Sequence, residues 1–274
     1  MKFTFIYFSK HTIRTQVRTG EIQPCGHLHK NDHGSSCQPG QPGSDFRRLG
    51  TQLICDRYNM EINLKNYSAY LFDMDGTLVN SEEFKGIALS KACLCFGGHA
   101  ESIEYKAVMG EKWSVVTDHF LNIAQIAPEL SQFNAEFDKI YLKLLNDGLR
   151  LNTNAKELLI KLFAKGKKTA IVSSESTWMV DKILSRLDLA GFFNLIITEE
   201  DVKKHKPDPE AYILALEQFS IDSSEVLVFE DSNAGLIAAN RAGCDAVAFQ
   251  HEFNISNDLS LAIKVISDFN DIKL

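Results

Sequence analysis

Residues 70–82 read YLFDMDGTLVNSE. A short apolar run, Tyr70-Leu71-Phe72, ends in two carboxylates, Asp73 and Asp75, followed by Gly76 and Thr77. Like charges this close repel, and each resists leaving water. A buried strand that ends this way needs compensation, most simply a cation or a phosphoryl group between the acids. A carboxylate can attack phosphorus and form an aspartyl phosphate. A second acid two residues on can protonate the leaving oxygen and then activate water. The plain alternative is a strand-end turn, where Asp and Gly are common.

Outward from this stretch, the chain alternates from Asn66 onward. AYLFDM reads as a strand ending at Asp73, and residues 81–147 read as a run of helices. The first, SEEFKGIALSKACLCFG, opens with Ser81 as its cap and stops at Gly97-Gly98. WSVVTDHFLNIAQIA and SQFNAEFDKIYLKLLNDG place apolar residues three and four apart. After a helix stopped by Gly166, strands KTAIVSS, FNLIIT, EVLVFED and DAVAF alternate with helices STWMVDKILSRLDL, DPEAYILALEQF and NAGLIAANRAG. Alternating βα units with apolar strands predict an α/β fold, a doubly wound parallel sheet covered on both faces. Ligands of such sheets bind at the carboxyl ends of the strands. The helices of residues 80–152 interrupt the alternation straight after the acidic pair, where a helical cap over the site is inserted. Residues 60–79 and 153–274 are then the core.

Three further pieces fall at or near strand ends. Ser173, with Ser174, closes KTAIVSS, where a hydroxyl and backbone N–H groups before a helix suit a phosphate oxygen; an ordinary helix cap is the alternative. Lys206, in KKHKPDPEAY, can neutralise a phosphoryl group and its nucleophile, with Lys203 and Lys204 as rivals on a basic loop. Glu230 and Asp231, in VFEDSNAG, would complete an oxygen site for Mg²⁺ facing Asp73, unless Asp231 or Ser232 only caps the following helix. Mg²⁺ would also offset the repulsion between the acids.

Taken together, these residues resemble the haloacid dehalogenase (HAD) superfamily. DMDGTLVNSE is similar to its DxDGT signature, Ser173 to the hydroxyl residue of its second motif, Lys206 to the lysine of its third, and EDSNAG to its fourth. KPDPE and EDSNAGLIAANRAG look like the branch that contains β-phosphoglucomutase and the sugar-phosphate and phosphoglycolate phosphatases. The resemblance runs from about residue 68 to about residue 250. It implies a Rossmann-like core with a helical cap, Mg²⁺, and a phosphatase acting on a small phosphorylated metabolite through an aspartyl phosphate. On it, Asp73 is the nucleophile and a metal ligand, and Asp75 is the acid/base and lends a backbone carbonyl to the metal. Ser173 and Lys206 hold the phosphoryl group, and Asp231 with Glu230 completes the metal site.

The chain departs from the mutase pattern. Lys85 stands where a cap histidine is expected, and Glu175-Ser176 where a basic residue follows the second motif. No cap arginine for a second phosphate is evident near VMGEKWSVV, only Lys112. A mutase must hold two phosphates, so hydrolysis is the leading expectation and a β-phosphoglucomutase-like mutase the alternative. A signalling receiver domain needs neither the second aspartate nor the helical insert. Lys85, Glu111, Lys112 and Trp113 are the candidates for contact with the substrate in the cap, and His205 for a place on the site's rim. Phe120, Phe133 and Phe137 read as cap core, and Cys93 and Cys95 as buried packing.

Composition limits the rest. The chain of 274 residues has a net charge of −7, unevenly spread. Residues 1–59 hold eight Lys/Arg against four Asp/Glu, and the remainder is strongly acidic, which argues against nucleic acid as a partner. No run approaches a membrane span. Six cysteines without a secreted framework suggest reduced thiols in a cytoplasm. A monomer is expected. PCGHLHKNDHGSSCQPGQPGSD has neither helical nor strand period, so residues 1–59 read as a disordered extension, with Met60 as the expected start of translation. Cys25, His27, His29, His33 and Cys37 do not match common zinc spacings.

Overall fold

The chain's computed structural model describes residues 67–273. The expected extension, its Cys/His cluster and Met60 lie outside the described residues.

Six parallel strands form one sheet: β1 (Ala69–Phe72), β2 (Lys168–Val172), β3 (Leu195–Ile197), β4 (Val226–Glu230), β5 (Asp245–Phe249) and β6 (Lys264–Ile266). Their order across the sheet is β3-β2-β1-β4-β5-β6, so β1 is central and the chain winds away from it in both directions. Side chains alternate between the two faces of a strand. Tyr70, Phe72, Leu227 and Phe229 enter one core, while Ala69, Leu71, Val226 and Val228 enter the other. Every residue of β1 is fully buried, which is why this strand reads as apolar throughout.

Helices α4 (Ala155–Ala164) and α5 (Thr177–Leu187) add Leu158, Leu162, Ile183 and Leu184 to the first core. Helices α6 (Glu210–Phe219) and α7 (Asn233–Arg241) add Tyr212, Ala215, Leu236 and Ala239 to the second. Burial of each large apolar side chain contributes about 1.5–3 kcal/mol. Phe72 stacks on Phe229 with ring centroids 4.8 Å apart, tying the central strands together one step before their functional ends.

Between β1 and α4 lie α1 (Glu82–Cys95), α2 (Trp113–Ala124) and α3 (Leu130–Gly148), with a 3₁₀ turn at Ser102–Ala107. Phe120, Phe133 and Phe137 are buried among these helices as expected. Cys93 is buried and Cys95 is exposed, so buried packing holds for the first cysteine and fails for the second. Burial pushes the Cys93 thiol up to about 11. Ser81 occupies the cap position of α1 without making a capping hydrogen bond. Strand β6 was not foreseen: its KVI sequence is too short to show a period, and Lys264 within it is buried with Nζ donating to the Asp271 carbonyl at 3.1 Å.

Candidate active site

Register brings the four sequence pieces together. Phe72 lies beside Ile171 on one side and Phe229 on the other, so Asp73 emerges next to Val172 and Glu230. The Asp73 amide still donates to the Phe229 carbonyl, at 2.9 Å, before the chain leaves the sheet. Gly76 then turns it back with φ +72, and Asn152 Nδ2 donates to the Gly76 and Thr77 carbonyls at 2.7 Å each. These ends form the floor of a cavity of about 610 Å³. Asp73, Asp75, Ser173, Ser174, Lys206 and Asp231 line it, and so do Lys85, Glu111, Lys112, Trp113 and His205.

Lys206 braces the acids. Its Nζ donates to Asp73 Oδ1 at 2.6 Å, Glu230 Oε1 at 2.6 Å and the Val172 carbonyl at 2.9 Å, which uses all three N–H groups. Burial disfavours its charge, but the carboxylates of Asp73 and Glu230 outweigh burial and hold the ammonium above its ordinary range. Asp73 is pushed up by burial first, against the pull of Lys206, with Glu230 and Asp231 adding to the rise.

Glu230 is fully buried behind Lys206 and does not line the cavity. Tyr212 Oη donates to Oε1 at 2.7 Å, and the amide of Asp231 and hydroxyl of Ser232 donate to Oε2 at 3.2 and 3.1 Å. Ser232 Oγ also accepts from the Gly235 amide at 3.0 Å, so Ser232 caps α7 and leaves Asp231 free to face the site. A Cβ on Gly235 would lie 1.9 Å from the Glu230 carboxyl carbon. A Cβ on Gly76 would lie 2.1 Å from Asp231 Oδ2. Both positions therefore need glycine for close approach, and Gly76 needs it for turning as well.

Asp231 has a partner the sequence did not reveal. His251, in the segment after β5, places Nε2 2.9 Å from Asp231 Oδ2, while its Nδ1 accepts from the Phe253 amide at 3.2 Å. Burial lowers the imidazole's pKa, so the neutral ring carries its proton on Nε2 and donates to Asp231. Burial raises Asp231, and Glu82 and Glu230 raise it further. Asp73, Glu230 and Asp231 each offer a carboxylate oxygen, and these oxygens lie within 4.8 Å of one another, a cluster able to hold a metal ion.

Asp75 sits in a separate network. Its Oδ1 accepts from Ser81 Oγ at 2.5 Å and Tyr141 Oη at 3.4 Å, and lies 3.5 Å from Lys85 Nζ. Its Oδ2 is buried without a hydrogen-bond partner among the described residues. Lys85 also pairs with Glu82 at 3.3 Å and Glu175 at 3.0 Å, so its charge is engaged by three carboxylates. Burial lowers Lys85, but those carboxylates outweigh it and the ammonium is raised. Ser173 Oγ accepts from the Glu175 amide at 3.1 Å, which leaves its own O–H to donate. Ser174 is exposed at the rim.

The sequence matches the family model described as haloacid dehalogenase-like hydrolase over residues 70–249. The chain is 28% identical over 215 residues to a phosphoglycolate phosphatase of Photorhabdus laumondii, covering 76% of this chain and 92% of that protein. It is 28% identical over 179 residues to a phosphorylated carbohydrates phosphatase of Thermotoga maritima, covering 65% and 83%. A crystal structure of a candidate β-phosphoglucomutase from Thermotoga maritima superposes with a TM-score of 0.63 at 26% identity, covering 73% of this chain and 94% of that one. No helix among the described residues is long and apolar enough to cross a membrane. The strand-end acids, the parallel sheet and the family match agree: this chain is an enzyme of the haloacid dehalogenase-like hydrolase family.

Proposed function

We propose that the chain is a Mg²⁺-dependent phosphatase that hydrolyses a phosphate monoester of a small metabolite by way of a phosphoryl group carried on Asp73. The observation that carries this reading is the meeting of carboxylate oxygens of Asp73, Asp231 and Glu230 within 4.8 Å, with Asp73 and Asp231 lining one cavity beside Asp75 and Lys206 and Glu230 buried behind them. The phosphatase activities named for two of the relatives support it.

The donor set fits the metal. It is all oxygen, as a hard divalent cation requires, and only Lys206 offsets its charge directly. Asp73, Asp231 and the Asp75 carbonyl would hold the ion, with Glu230 behind them. When bound, Mg²⁺ supplies positive charge to the phosphoryl oxygens and shields the nucleophile from an anionic substrate.

The chain's own groups perform the proton and phosphoryl transfers. Lys206 holds Asp73 by Oδ1, which leaves Oδ2 to attack phosphorus. Asp75 has its Oδ1 occupied by donors, so Oδ2 carries the proton that passes to the departing alcohol oxygen as the P–O bond breaks. The Ser173 hydroxyl donates to a phosphoryl oxygen. After the alcohol leaves, Asp75 takes a proton from water, the water oxygen attacks phosphorus, and the bond to Asp73 breaks to release phosphate.

Phosphate release from a panel of phosphorylated metabolites, with Mg²⁺, with EDTA and with Asp73→Asn, tests this reading. Metal-dependent release that the variant loses is expected; normal turnover in Asp73→Asn would sink it. Similarity to a candidate β-phosphoglucomutase favours a second reading, a phosphosugar mutase. Isomerisation of β-glucose 1-phosphate that depends on the sugar bisphosphate, without net phosphate release, would establish that reading instead.

A further inference from the structure

The cavity is much larger than a phosphate, and its outer walls have their own chemistry. Trp113, on the rim, packs against Phe137 with ring centroids 4.6 Å apart, and Phe137 stacks on Tyr141 at 5.4 Å. Tyr141 reaches Asp75, so an aromatic face runs from the cavity mouth to the catalytic floor. Trp178, on α5, also lines the cavity and is 47% exposed. Both tryptophans of the chain therefore border this one space.

The charge around it is lopsided. Among the described residues, eight carboxylates and three lysines line the cavity. Lys206 braces Asp73, and Lys85 is shared by Asp75, Glu82 and Glu175. Lys112 is the third lysine, and Glu111, Asp138 and Glu199 line the same cavity. Glu82 adds an independent sign: it is 4% exposed, lines the cavity, and keeps Oε2 without a hydrogen-bond partner among the described residues. Its Oε1 lies 3.3 Å from Lys85 Nζ, so the carboxylate is partly compensated, and a donor from a ligand would satisfy the remaining buried oxygen.

Aromatic faces beside unpaired carboxylates are the chemistry that recognises a cation. We propose that this site selects phosphate monoesters whose alcohol carries a positive charge, amino-alcohol or amino-sugar phosphates, over neutral ones, and disfavours those with a second anion. The inference rests on the phosphatase reading for the inner site and adds the leaving group to it. A carboxylate tail such as that of phosphoglycolate would meet like charge along most of the wall, with Lys112 alone in its favour.

Three two-carbon esters isolate the tail charge: 2-aminoethyl phosphate, 2-hydroxyethyl phosphate and phosphoglycolate. In kcat/KM, the amine is expected to exceed the hydroxyl compound by about tenfold, and the hydroxyl to exceed the carboxylate by about tenfold, with both ratios shrinking at high salt. In Glu111→Gln/Asp138→Asn the amine-to-hydroxyl ratio falls toward one. Hydrolysis of p-nitrophenyl phosphate in parallel reports on the phosphatase reading itself. If nothing is hydrolysed, that reading fails, and the order of Kd for the three esters, read from the fluorescence of Trp113 and Trp178 in Asp73→Asn, still decides the charge preference. An equal or reversed order, by either readout, overturns the proposal.

Discussion

Replacing Lys85 by Met tests whether the three-acid network carries the weight its geometry implies. Lys85 Nζ lies 3.0, 3.3 and 3.5 Å from carboxylate oxygens of Glu175, Glu82 and Asp75. At an effective dielectric of about 20, each attraction amounts to about 5 kcal/mol. Desolvation of the ammonium and repulsion among the acids offset most of that, so loss of the cation costs about 3 kcal/mol. For a domain of this size the melting temperature should fall by about 6–12 °C. The loss has a pH signature. Burial raises Glu175 in the native protein, while Lys85 opposes the rise. A carboxyl raised on folding contributes stability that is present at low pH and lost as pH rises through its folded value. Without Lys85 that value climbs further, so the variant's deficit should be largest near neutral pH and shrink on acidification as Glu175 takes up its proton. Urea unfolding of both proteins at about pH 7.5 and about pH 5 measures this. Equal stability at neutral pH, or a deficit that grows on acidification, would refute the reasoning.

Other predictions follow from the same site. Gly235→Ala drives a methyl into the Glu230 carboxylate and should destabilise by about 1–3 kcal/mol with loss of turnover, whereas Gly191→Ala, with open space at its Cβ, should stay within about 1 kcal/mol of the parent by urea unfolding. Mg²⁺ at about 100 times its Kd should stabilise the protein by about 2.7 kcal/mol in thermal melts, an effect that EDTA reverses and Asp231→Asn abolishes. His251→Ala removes the donor to Asp231 and should raise the Mg²⁺ concentration needed for half-maximal activity by about 10–100-fold; an unchanged requirement would remove His251 from the metal site.

The sheet was legible because its strands are short apolar runs bounded by turn residues, and because strand ends are where such a fold gathers polar groups. That is why Asp73, Ser173, Lys206 and Asp231 could be located from spacing and resemblance and then found on one cavity floor. What stayed hidden depends on contacts between distant segments. Tyr212 reads as an apolar helix residue until its hydroxyl meets Glu230. His251 follows a strand with no motif around it, and only the fold brings it to Asp231. Ser81 looked like a helix cap because Ser before an amphipathic run usually is one; here its hydroxyl goes to Asp75 instead. Lys85 was read as a substrate contact from its position, but only side-chain distances show that three acids already share its charge. The glycine of EDSNAG did carry a signal: three residues after a capping serine, a residue without Cβ marks a close approach, here by Glu230.

The central claim is that Asp73 carries the phosphoryl group and Asp75 releases it. Asp75→Asn should be incubated with Mg²⁺ and p-nitrophenyl phosphate, whose leaving group needs no proton, and its intact mass measured. One added phosphoryl group, mapped to Asp73 and absent when Asp73 is also changed to Asn, is the predicted result. Steady phosphate release from Asp73→Asn, or a phosphoryl group mapped to another residue, would contradict the account.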